Sequence, residues 1–373
     1  MDHHAGGARV NGLESVLVVG TGLIGTSVAL ALRGHDVPVH LADRDAGAVR
    51  LARELGAGVE WDGRRVGLAV VAVPPHLVAE QIHRLQGEGA ARFYTDVASV
   101  KRLPIEQAAA LGCDLGAYVP GHPLAGRERS GPAAARADLF LGRPWALCPT
   151  EETSPEAVEV LRGLVKLCGG EAVEVGADEH DRAVAVVSHA PHVAASAVAA
   201  RLAEASGTAL GLAGQGVRDV TRIAAGDPAL WTGILSGNAL PVADVLEAIA
   251  DDLATAAAAL RAAAAPAVAQ DGGAAGMDGV TGLLRRGVVG TTRIPGKHGG
   301  PARAYASVQV VIGDRPGELA RLFQVAEAAG VNIEDVRLEH TPGLPLGAAE
   351  LQVQPEAVPA LTEALRAGGW QLP

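Results

Sequence analysis

The sequence is poor in aromatic residues, cysteine and positive charge, and each shortage excludes a class of protein. Aromatic side chains make up only 3% of the 373 residues, so the interior must be built largely from Ala, Val and Leu. The three cysteines, Cys113, Cys148 and Cys168, are odd in number and widely spaced, which fits neither a disulfide framework nor a zinc site. Lysine and arginine number 31 against 42 acidic residues, and the net charge of −11 argues against a nucleic-acid-binding protein.

Long uninterrupted apolar runs are also absent from the sequence. Arg, Asp and Glu interrupt the long alanine stretches before they reach the length of a membrane span. Residues 1–12 lack the basic and apolar pattern of a signal peptide. Together with the low cysteine content, these features predict a cytoplasmic protein. The length exceeds what one hydrophobic core usually serves and predicts two or three domains.

A glycine-rich turn follows the first buried strand. Residues 14–19 read ESVLVV, residues 20–25 read GTGLIG, and a helical apolar period comes directly after them. In this context Gly20 permits a tight turn, Gly22 lets the backbone approach a pyrophosphate, and Gly25 allows close packing of helix on strand. The sequence therefore predicts a dinucleotide-binding α/β Rossmann domain.

The predicted second strand ends in an acidic residue at the position expected to contact a ribose. Asp43 lies about twenty residues after the glycine motif, where a carboxylate accepts hydrogen bonds from the ribose diol and repels a 2′-phosphate. This favours NAD over NADP, although the neighbouring Arg44 could bind that phosphate, and an ordinary turn residue is the alternative for Asp43. The predicted cofactor contacts are Gly20, Gly22, Leu23, Ile24, Gly25, Asp43 and Pro74.

Two further predicted strands end at the edge of the sheet where ligands bind. Residues 68–75 read LAVVAVPP and residues 92–101 read RFYTDVASVK. In an open parallel sheet ligands bind beyond the carboxyl ends of the strands, which places Ser99 and Lys101 on the cofactor side. A solvated surface position is the alternative for Lys101. PWALCPT and EAVEVG, further along the chain, are interpreted as the last strands of the same unit.

A histidine in a glycine-flanked turn is the leading catalytic candidate. His122 lies in GHPLAGRERSG, about a hundred residues after the glycine motif. A nicotinamide enzyme that oxidises an alcohol needs a neutral base beside the carbinol, and histidine, with an ordinary pKa of about 6.5, suits that task. The alternative is a hydrogen-bonded histidine at the end of a strand.

From Asp178 to about Arg286 the pattern changes to long alanine-rich helices. His189 and His192 lie three residues apart and share a helix face, as ligands of a metal would. We expect no metal site, because no cysteine or carboxylate joins them at ligand spacing. Two buried, hydrogen-bonded histidines remain the alternative. Arg222 stands out because its guanidinium can hold a carboxylate with two hydrogen bonds, although a pair with Asp219 would serve structure alone.

The motifs form a recognisable set in their order along the chain. GTGLIGTS, DVASVK, GHPLAGRERSG, SHAPH and RDVTRIAAGDPALW resemble those of the prephenate dehydrogenase family of tyrosine synthesis, over about residues 14–285. The resemblance implies that His122 is the catalytic acceptor of a hydrogen bond from the ring 4-hydroxyl. It also implies that Ser99 orients His122 and the cofactor, and that Arg222 grips the ring carboxylate.

The same resemblance gives roles to four further residues. It implies that His192 and Trp231 lie near the substrate side chain, and that Glu128 and Asp219 belong to a gating ionic network. Gly226 departs from many relatives, which carry a polar residue after TRIA, so the local substrate contacts stay open.

The expected function is NAD-dependent oxidative decarboxylation of prephenate to 4-hydroxyphenylpyruvate by a cytoplasmic homodimer. Arogenate or 4-amino-4-deoxyprephenate, with the same chemistry, are alternative substrates. A non-catalytic ligand-sensing protein is an alternative of another class. A hydrolase using Ser188 and His189 is disfavoured, because the GxSxG elbow is missing.

The C-terminal part has a different pattern. Residues 303–373 predict the order βαββαβ, which is ferredoxin-like, and IGDRPGELARLF resembles the opening of ACT regulatory domains. The resemblance implies an effector site at Asp314, Pro316 and Gly317, with tyrosine as the leading effector. A structural or dimerisation appendage is the alternative. The predicted domains are 14–178 (Rossmann), 179–286 (helical dimerisation and substrate), 287–302 (linker) and 303–373 (ACT).

Overall fold

The computed structural model describes residues 12–126, 129–264, 277–294, 305–340 and 346–372. They divide into two compact units, Met1–Ala250 and Asp251–Pro373.

The first unit is built on a six-stranded parallel sheet. Its strands run in the order β3-β2-β1-β4-β5-β6, with Val16 of β1 in register with Val39 of β2 and Leu68 of β4. The strands are β1 (Val16–Val19), β2 (Val39–Ala42), β3 (Val59–Glu60), β4 (Val66–Val71), β5 (Ala91–Asp96) and β6 (Tyr118–Val119). This is the strand order of a dinucleotide-binding fold, and it confirms the predicted Rossmann-like domain.

Helices cover both faces of this sheet, which explains why its strands are almost continuously apolar. Along β1, Val16 and Val18 enter one core, while Leu17 and Val19 enter the other. The covering helices are α1 (Leu23–Arg33), α2 (Ala46–Glu54), α3 (Val78–Gly87), α4 (Arg102–Ala110) and α5 (Pro155–Leu167). Helix α5 starts where Ser154 accepts a hydrogen bond from the Ala157 N–H and Pro155 occupies the first turn.

PWALCPT and EAVEVG form strands, as predicted for the end of the Rossmann unit, but these strands do not join the main sheet. They form β8 (Pro144–Leu147) and β9 (Glu171–Glu174) of a separate sheet of order β7-β8-β9, in which β7 (Gly121–Pro123) is antiparallel to β8. β6 ends the main sheet next to β5, and in the separate sheet β8 pairs with β7 on one side and with β9 on the other. Apolar runs identify strands but not their partners.

The helical part of the first unit begins with one continuous segment. Helix α6 (Ala177–Val184) passes through a π-helical turn, Ala185–His189, into α7 (Ala190–Leu202). It continues through α8 (Gly207–Gly211), α9 (Gln215–Thr221), a 3₁₀ turn (Arg222–Ala225), α10 (Pro228–Gly237) and α11 (Ala239–Ala263). The predicted change to helices after the Rossmann domain is confirmed.

By length and composition alone, Ala177–Leu202 could cross a membrane, with a mean hydropathy of 1.4 over its most apolar window. The sequence predicts no membrane span because charged residues interrupt its apolar runs, whereas the average over this helix is apolar. The bent pair of α10 and α11 passes the same test. Core helices of soluble proteins pass the same test.

The second unit contains the rest of α11, α12 (Asp278–Thr292) and a small α+β fold. The predicted linker was wrong over residues 287–292, which belong to α12; here the Thr291 and Thr292 hydroxyls donate to helix carbonyls three residues back. An ion pair of Arg286 with Asp252 links α12 to α11. Residues 295–302 of the predicted linker lie outside the described residues.

The α+β fold has a three-stranded antiparallel sheet of order β10-β12-β11. Helices α13 and α14 pack on it, and Leu322, Leu361 and Leu365 are buried against the strands. The elements are β10 (Ala306–Gly313), α13 (Glu318–Ala328), β11 (Asp335–His340), β12 (Leu346–Val353) and α14 (Val358–Ala367). The predicted last strand, WQL, is not a strand. It contacts β10 through a hydrogen bond from the Val311 N–H to the Gln371 carbonyl, without forming a ladder of such bonds.

Candidate active site

The glycine motif packs so closely that two of its positions have no room for a side chain. A Cβ at Gly20, which has φ of +101°, would lie 2.3 Å from the Ala72 carbonyl oxygen. A Cβ at Gly25 would lie 2.0 Å from the Gly20 oxygen. Nothing lies within 4 Å of a Cβ at Gly22, so the backbone there is open to a ligand. The three glycines thus have the different environments that a pyrophosphate-binding turn requires.

A cavity of about 500 Å³ opens beside this turn. Gly20, Gly22, Asp43 and Pro74 line it, together with Arg44 and Arg84. Leu23 and Ile24, also predicted cofactor contacts, begin α1, and their side chains pack against the core of the sheet.

The Asp43 carboxylate is fixed at the mouth of the cavity. One of its oxygens accepts the Thr21 N–H at 2.6 Å and the Thr21 hydroxyl at 3.1 Å, and the other accepts the Asp45 N–H at 2.9 Å. It is therefore held at the end of β2 in a constant orientation. The open backbone at Gly22, the cavity and this carboxylate fit a dinucleotide with a free ribose diol.

Lys101 is fully buried, so its interpretation as a solvated lysine was wrong. Its ammonium group donates to the Asp96 carboxylate and to the Gly121 carbonyl, and the Tyr118 hydroxyl donates to Asp96 at 2.6 Å. Burial, together with the Asp96 charge, raises the pKa of Tyr118. This network joins the end of β5 to β7 and fixes the backbone next to His122. The lysine five residues after a strand-ending aspartate was the only sequence signal for it.

His122 lies on strand β7, opposite Ala146 of β8, and not in the predicted turn. Pairing with β8 extends the backbone at Gly121–Pro123, which overrides the turn preference of glycine. Its Nδ1 atom lies 2.9 Å from Nε2 of His180. Burial, and then the nearby His180, Lys101 and His189, hold the pKa of His122 well below its usual value. His122 is consequently a neutral base near pH 7.

His180 and Asp181 were missed by the sequence analysis. Both are buried, and His180 Nδ1 lies 2.8 Å from the Asp181 carboxylate. Burial would raise the pKa of Asp181, but hydrogen bonds from His180 and from the backbone N–H groups of Arg102 and Lys101 outweigh it and lower the pKa. The only signal in the sequence was the adjacent histidine and aspartate shortly before SHAPH. Because His180 lies 58 residues after His122, the sequence did not indicate that the two side chains meet.

The SHAPH histidines contact a tryptophan. His189 is buried, lies 3.1 Å from the Asn238 amide nitrogen and stands edge-on to Trp231, with burial lowering its pKa to about 4. His192 stacks on Trp231, with ring centroids 3.6 Å apart. His189 therefore matches the alternative of a buried, hydrogen-bonded histidine. His192 and Trp231 form a stacked aromatic pair.

Gly226 closes tightly on this stack. A Cβ at Gly226 would lie 2.5 Å from Trp231 Nε1 and 3.1 Å from His192 Cε1. The absence of a side chain at this position is thus a condition for the stacked pair.

The other predicted site residues have no hydrogen bond to His122 among the described residues. Arg222 starts the 3₁₀ turn before Gly226, and Asp219 on α9 accepts a hydrogen bond from Gln215 at 2.8 Å. The structure gives no hydrogen bond between Ser99 and His122, whose Nδ1 faces His180 instead. Glu128 lies outside the described residues. Helix α10 approaches the Ser99 loop, since Gly237 packs against Val100.

Two family models match the chain. The nucleotide-binding domain of prephenate dehydrogenase matches residues 28–174, and the prephenate dehydrogenase dimerization domain matches residues 176–270. A probable prephenate dehydrogenase of Streptomyces niveus, NovF, is 42% identical over 96% of this chain and 99% of its own length. The chain belongs to the prephenate dehydrogenase family.

More distant members are similar as well. The Bacillus subtilis prephenate dehydrogenase is 30% identical over 60% of this chain and 64% of its own length. The crystal structure of the A. aeolicus enzyme with hydroxyphenyl propionate and NAD+ covers 75% of this chain and 98% of that chain, at 25% identity and a TM-score of 0.64. Synechocystis arogenate dehydrogenase covers 74% and 98%, at 26% identity and a TM-score of 0.59.

Membership in this family confirms the predicted activity and cofactor. The chain is an NAD-dependent prephenate dehydrogenase-type oxidoreductase with a Rossmann-like domain and a helical domain. The alternatives of a non-catalytic sensor and of a hydrolase using Ser188 and His189 are therefore wrong.

Proposed function

We propose that this enzyme uses His122 as the base in the oxidative decarboxylation of prephenate to 4-hydroxyphenylpyruvate. The observation that carries the proposal is a neutral, fixed imidazole at the carboxyl edge of the sheet. Ligands bind at this edge in folds of this kind, and the nucleotide cavity opens there.

The chemistry needs little from the protein beyond positioning and proton transfer. When bound, NAD accepts the hydride from the carbinol carbon. His122 shares the hydroxyl proton as the carbonyl forms, the bond from the ring to the carboxylate breaks, and its electron pair aromatises the ring while carbon dioxide leaves. His122 then returns the proton to the phenolic oxygen, so that protons and electrons balance.

The remaining predicted residues have supporting roles in this proposal. Arg222 binds the ring carboxylate, and His192 with Trp231 forms the surface for the substrate side chain. Ser99 orients the cofactor, and Glu128 with Asp219 forms an ionic gate. A moderate grip by Arg222 suits the reaction, because too strong a grip would stabilise the ground state against decarboxylation.

Arogenate and 4-amino-4-deoxyprephenate are the competing substrates. One experiment decides: NADH formation is measured with prephenate, arogenate and 4-amino-4-deoxyprephenate at equal concentration. We expect the highest kcat/KM with prephenate. A higher kcat/KM with arogenate or 4-amino-4-deoxyprephenate would mean that the same residues act on that substrate. No turnover of any of the three substrates would refute the proposal.

Replacing Asp43 with serine is expected to weaken the preference for NAD. The ratio of kcat/KM for NADP to that for NAD should rise about 10- to 100-fold, since hydrogen bonds to charged groups contribute about 1.5–3 kcal/mol. The Arg44→Ala variant should move the ratio in the opposite direction. An unchanged ratio in Asp43→Ser, with an unchanged melting temperature, would contradict the role of this carboxylate.

Replacing Gly226 with alanine is expected to raise the prephenate KM by roughly 2- to 10-fold, because the added methyl disrupts an aromatic stack of about 0.5–1.5 kcal/mol. Steady-state kinetics with both substrates measures the effect, and the NAD KM should not change. Gly233→Ala is the matched control, as nothing lies within 4 Å of its Cβ on the neighbouring helix. Equal KM changes in the two variants would mean that the stack does not contact substrate.

The C-terminal fold is proposed to be a ferredoxin-like ACT domain that binds an amino acid, with tyrosine as the leading candidate. The βαββα order supports this assignment. A cavity of about 250 Å³ beside the start of α13, lined by Asp314, Gly317 and Leu319, supports a ligand site there. Gly317, with φ of +90°, makes the left-handed turn that precedes the helix. Pro316 is not among the lining residues.

Truncation after Ile294 tests this regulatory assignment, because it keeps α12 whole. We expect the truncated enzyme to stay active and to lose tyrosine inhibition, which in the full chain should change substrate affinity about 5- to 150-fold. The same tyrosine inhibition constant in both forms would place tyrosine in the active site, as a product-like competitor.

Dimerisation of the helical domain is supported by its exposed apolar side chains. Val187, Leu212 and Leu240 are 66%, 82% and 72% exposed, and a partner subunit that covers them would remove apolar surface from water. Light scattering coupled to size-exclusion chromatography should give a molar mass twice that of one chain. The three free thiols of the described residues agree with a cytoplasmic location.

A further inference from the structure

Three side chains form a hydrogen-bonded row that ends at the proposed base. Asp181 contacts His180 at 2.8 Å, and His180 contacts His122 at 2.9 Å. His180 and Asp181 are 3% and 4% exposed, so water does not compete for these bonds. The row runs from helix α6 to strand β7, two elements that the chain separates by more than fifty residues.

Asp181 can only accept in this arrangement. Its two carboxylate oxygens receive the backbone N–H of Lys101 at 2.8 Å and that of Arg102 at 3.0 Å. Backbone N–H groups are obligatory donors, so both oxygens are held as acceptors at the start of α4. The Asn238 amide also donates to the Asp181 backbone carbonyl at 2.7 Å, which anchors this turn of α6.

When each histidine carries one ring proton, an acceptor at one end of the row determines where the protons lie along it. His180 Nδ1 must carry the proton that it donates to Asp181, which leaves Nε2 of a neutral His180 with its lone pair. That lone pair accepts a proton from Nδ1 of His122. Nε2 of a neutral His122 is then unprotonated. The reverse order would require a proton donor at Asp181 or a second ring proton on His180.

We propose that His180 and Asp181 are positioning residues that hold His122 as its Nδ1–H tautomer, with Nε2 free to accept the substrate hydroxyl proton. This inference rests on the proposed function of His122 and adds the device that prepares it. A neutral histidine in the other tautomer would present a donor to the hydroxyl and would not remove its proton.

The first test is direct and needs no substrate. Nitrogen-15 NMR of histidine-labelled enzyme, with His122→Gln used to assign the signal, should show His122 protonated at Nδ1 and unprotonated at Nε2 at pH 7.5. The Nε2–H tautomer in the wild type would overturn the proposal. Because this measurement involves no turnover, it remains decisive even if prephenate is not the substrate.

The second test separates positioning from simple structure. His180→Leu removes the acceptor and should lower kcat by roughly 100-fold while leaving both KM values within about twofold. His180→Gln supplies an acceptor and a donor again, and should recover kcat to within about tenfold of the wild type. The exposed His83 on α3 provides the control variant His83→Leu, which should behave as wild type.

The outcomes are distinct. A folded His180→Leu enzyme with normal kcat, or a His180→Gln enzyme as impaired as His180→Leu, would overturn the positioning role. If His180→Leu does not fold, His180→Gln and the NMR measurement still decide. Inactivity of the wild-type enzyme on every tested substrate would instead refute the proposed function.

Discussion

Replacing His122 with asparagine is expected to lower kcat by about 10²- to 10⁴-fold, the contribution of a positioned acid–base group. Asparagine keeps a polar side chain of similar reach but cannot take up the hydroxyl proton. The KM values for prephenate and NAD should stay within a few fold of the wild type, because the proposed carboxylate and ribose contacts lie elsewhere. Steady-state kinetics on both substrates measures the effect.

The matched control for this variant is His35→Asn, an exposed histidine after α1. It should leave kcat unchanged. A folded His122→Asn enzyme with near-normal kcat would remove His122 from the mechanism.

The pH profile gives a second readout on the same residue. His122 must be neutral to act, and its pKa is lowered from 6.5 mainly by burial. The neutral form therefore persists as the pH falls to 6.5, and kcat/KM should remain level from pH 8 to that point and decrease only below it. An acid limb centred above pH 6.5 in the wild type would contradict a neutral His122 with a lowered pKa.

Replacing Arg222 with alanine is expected to raise the prephenate KM about 10- to more than 100-fold. Charge-assisted hydrogen bonds contribute about 1.5–3 kcal/mol, and each 1.4 kcal/mol is a factor of ten in affinity. The NAD KM should be nearly unchanged, because Arg222 belongs to the helical segment and does not line the nucleotide cavity. The prephenate KM of Arg222→Lys should lie between those of the wild type and Arg222→Ala, since lysine keeps the charge but cannot form two parallel hydrogen bonds.

Arg218→Ala, an exposed arginine one turn earlier, is the control for the loss of a positive charge from this segment. It should leave the prephenate KM within about twofold. Equal increases in both KM values in Arg222→Ala would assign Arg222 a structural role instead.

The part of the molecule that the sequence predicts best is the part determined by local rules. Gly20 and Gly25 signal their turn because only glycine fits the contacts with Ala72 and the neighbouring backbone. The apolar period of α1 and the strands around it follow from the same segment. The Rossmann-like fold and the family could therefore be identified before any coordinates were known.

What the sequence did not reveal depends on partners that are distant along the chain. The contact of His122 with His180, and that of Lys101 with Gly121, join residues 58 and 20 positions apart. No periodicity records such a contact. The same limitation misplaced β8 and β9, since an apolar run fits either sheet until the partner strand is known. Glycines in α12 concealed its last turn because they lower helix propensity without preventing a helix.

The π-helical turn Ala185–His189 has a consequence for how this segment can change in evolution. Nine residues of regular α-helix rotate by about 900°, which would put His180 and His189 on opposite faces. The wider π-helical turn alters that phase. His189 therefore contacts Asn238, which also donates to the backbone carbonyl of Asp181, the residue that His180 contacts. Substitutions at the exposed Val186 or Val187 leave the phase intact, whereas loss of either residue would rotate all of α7 by about 100°. The number of residues between His180 and His189 is therefore what keeps both histidines in these contacts.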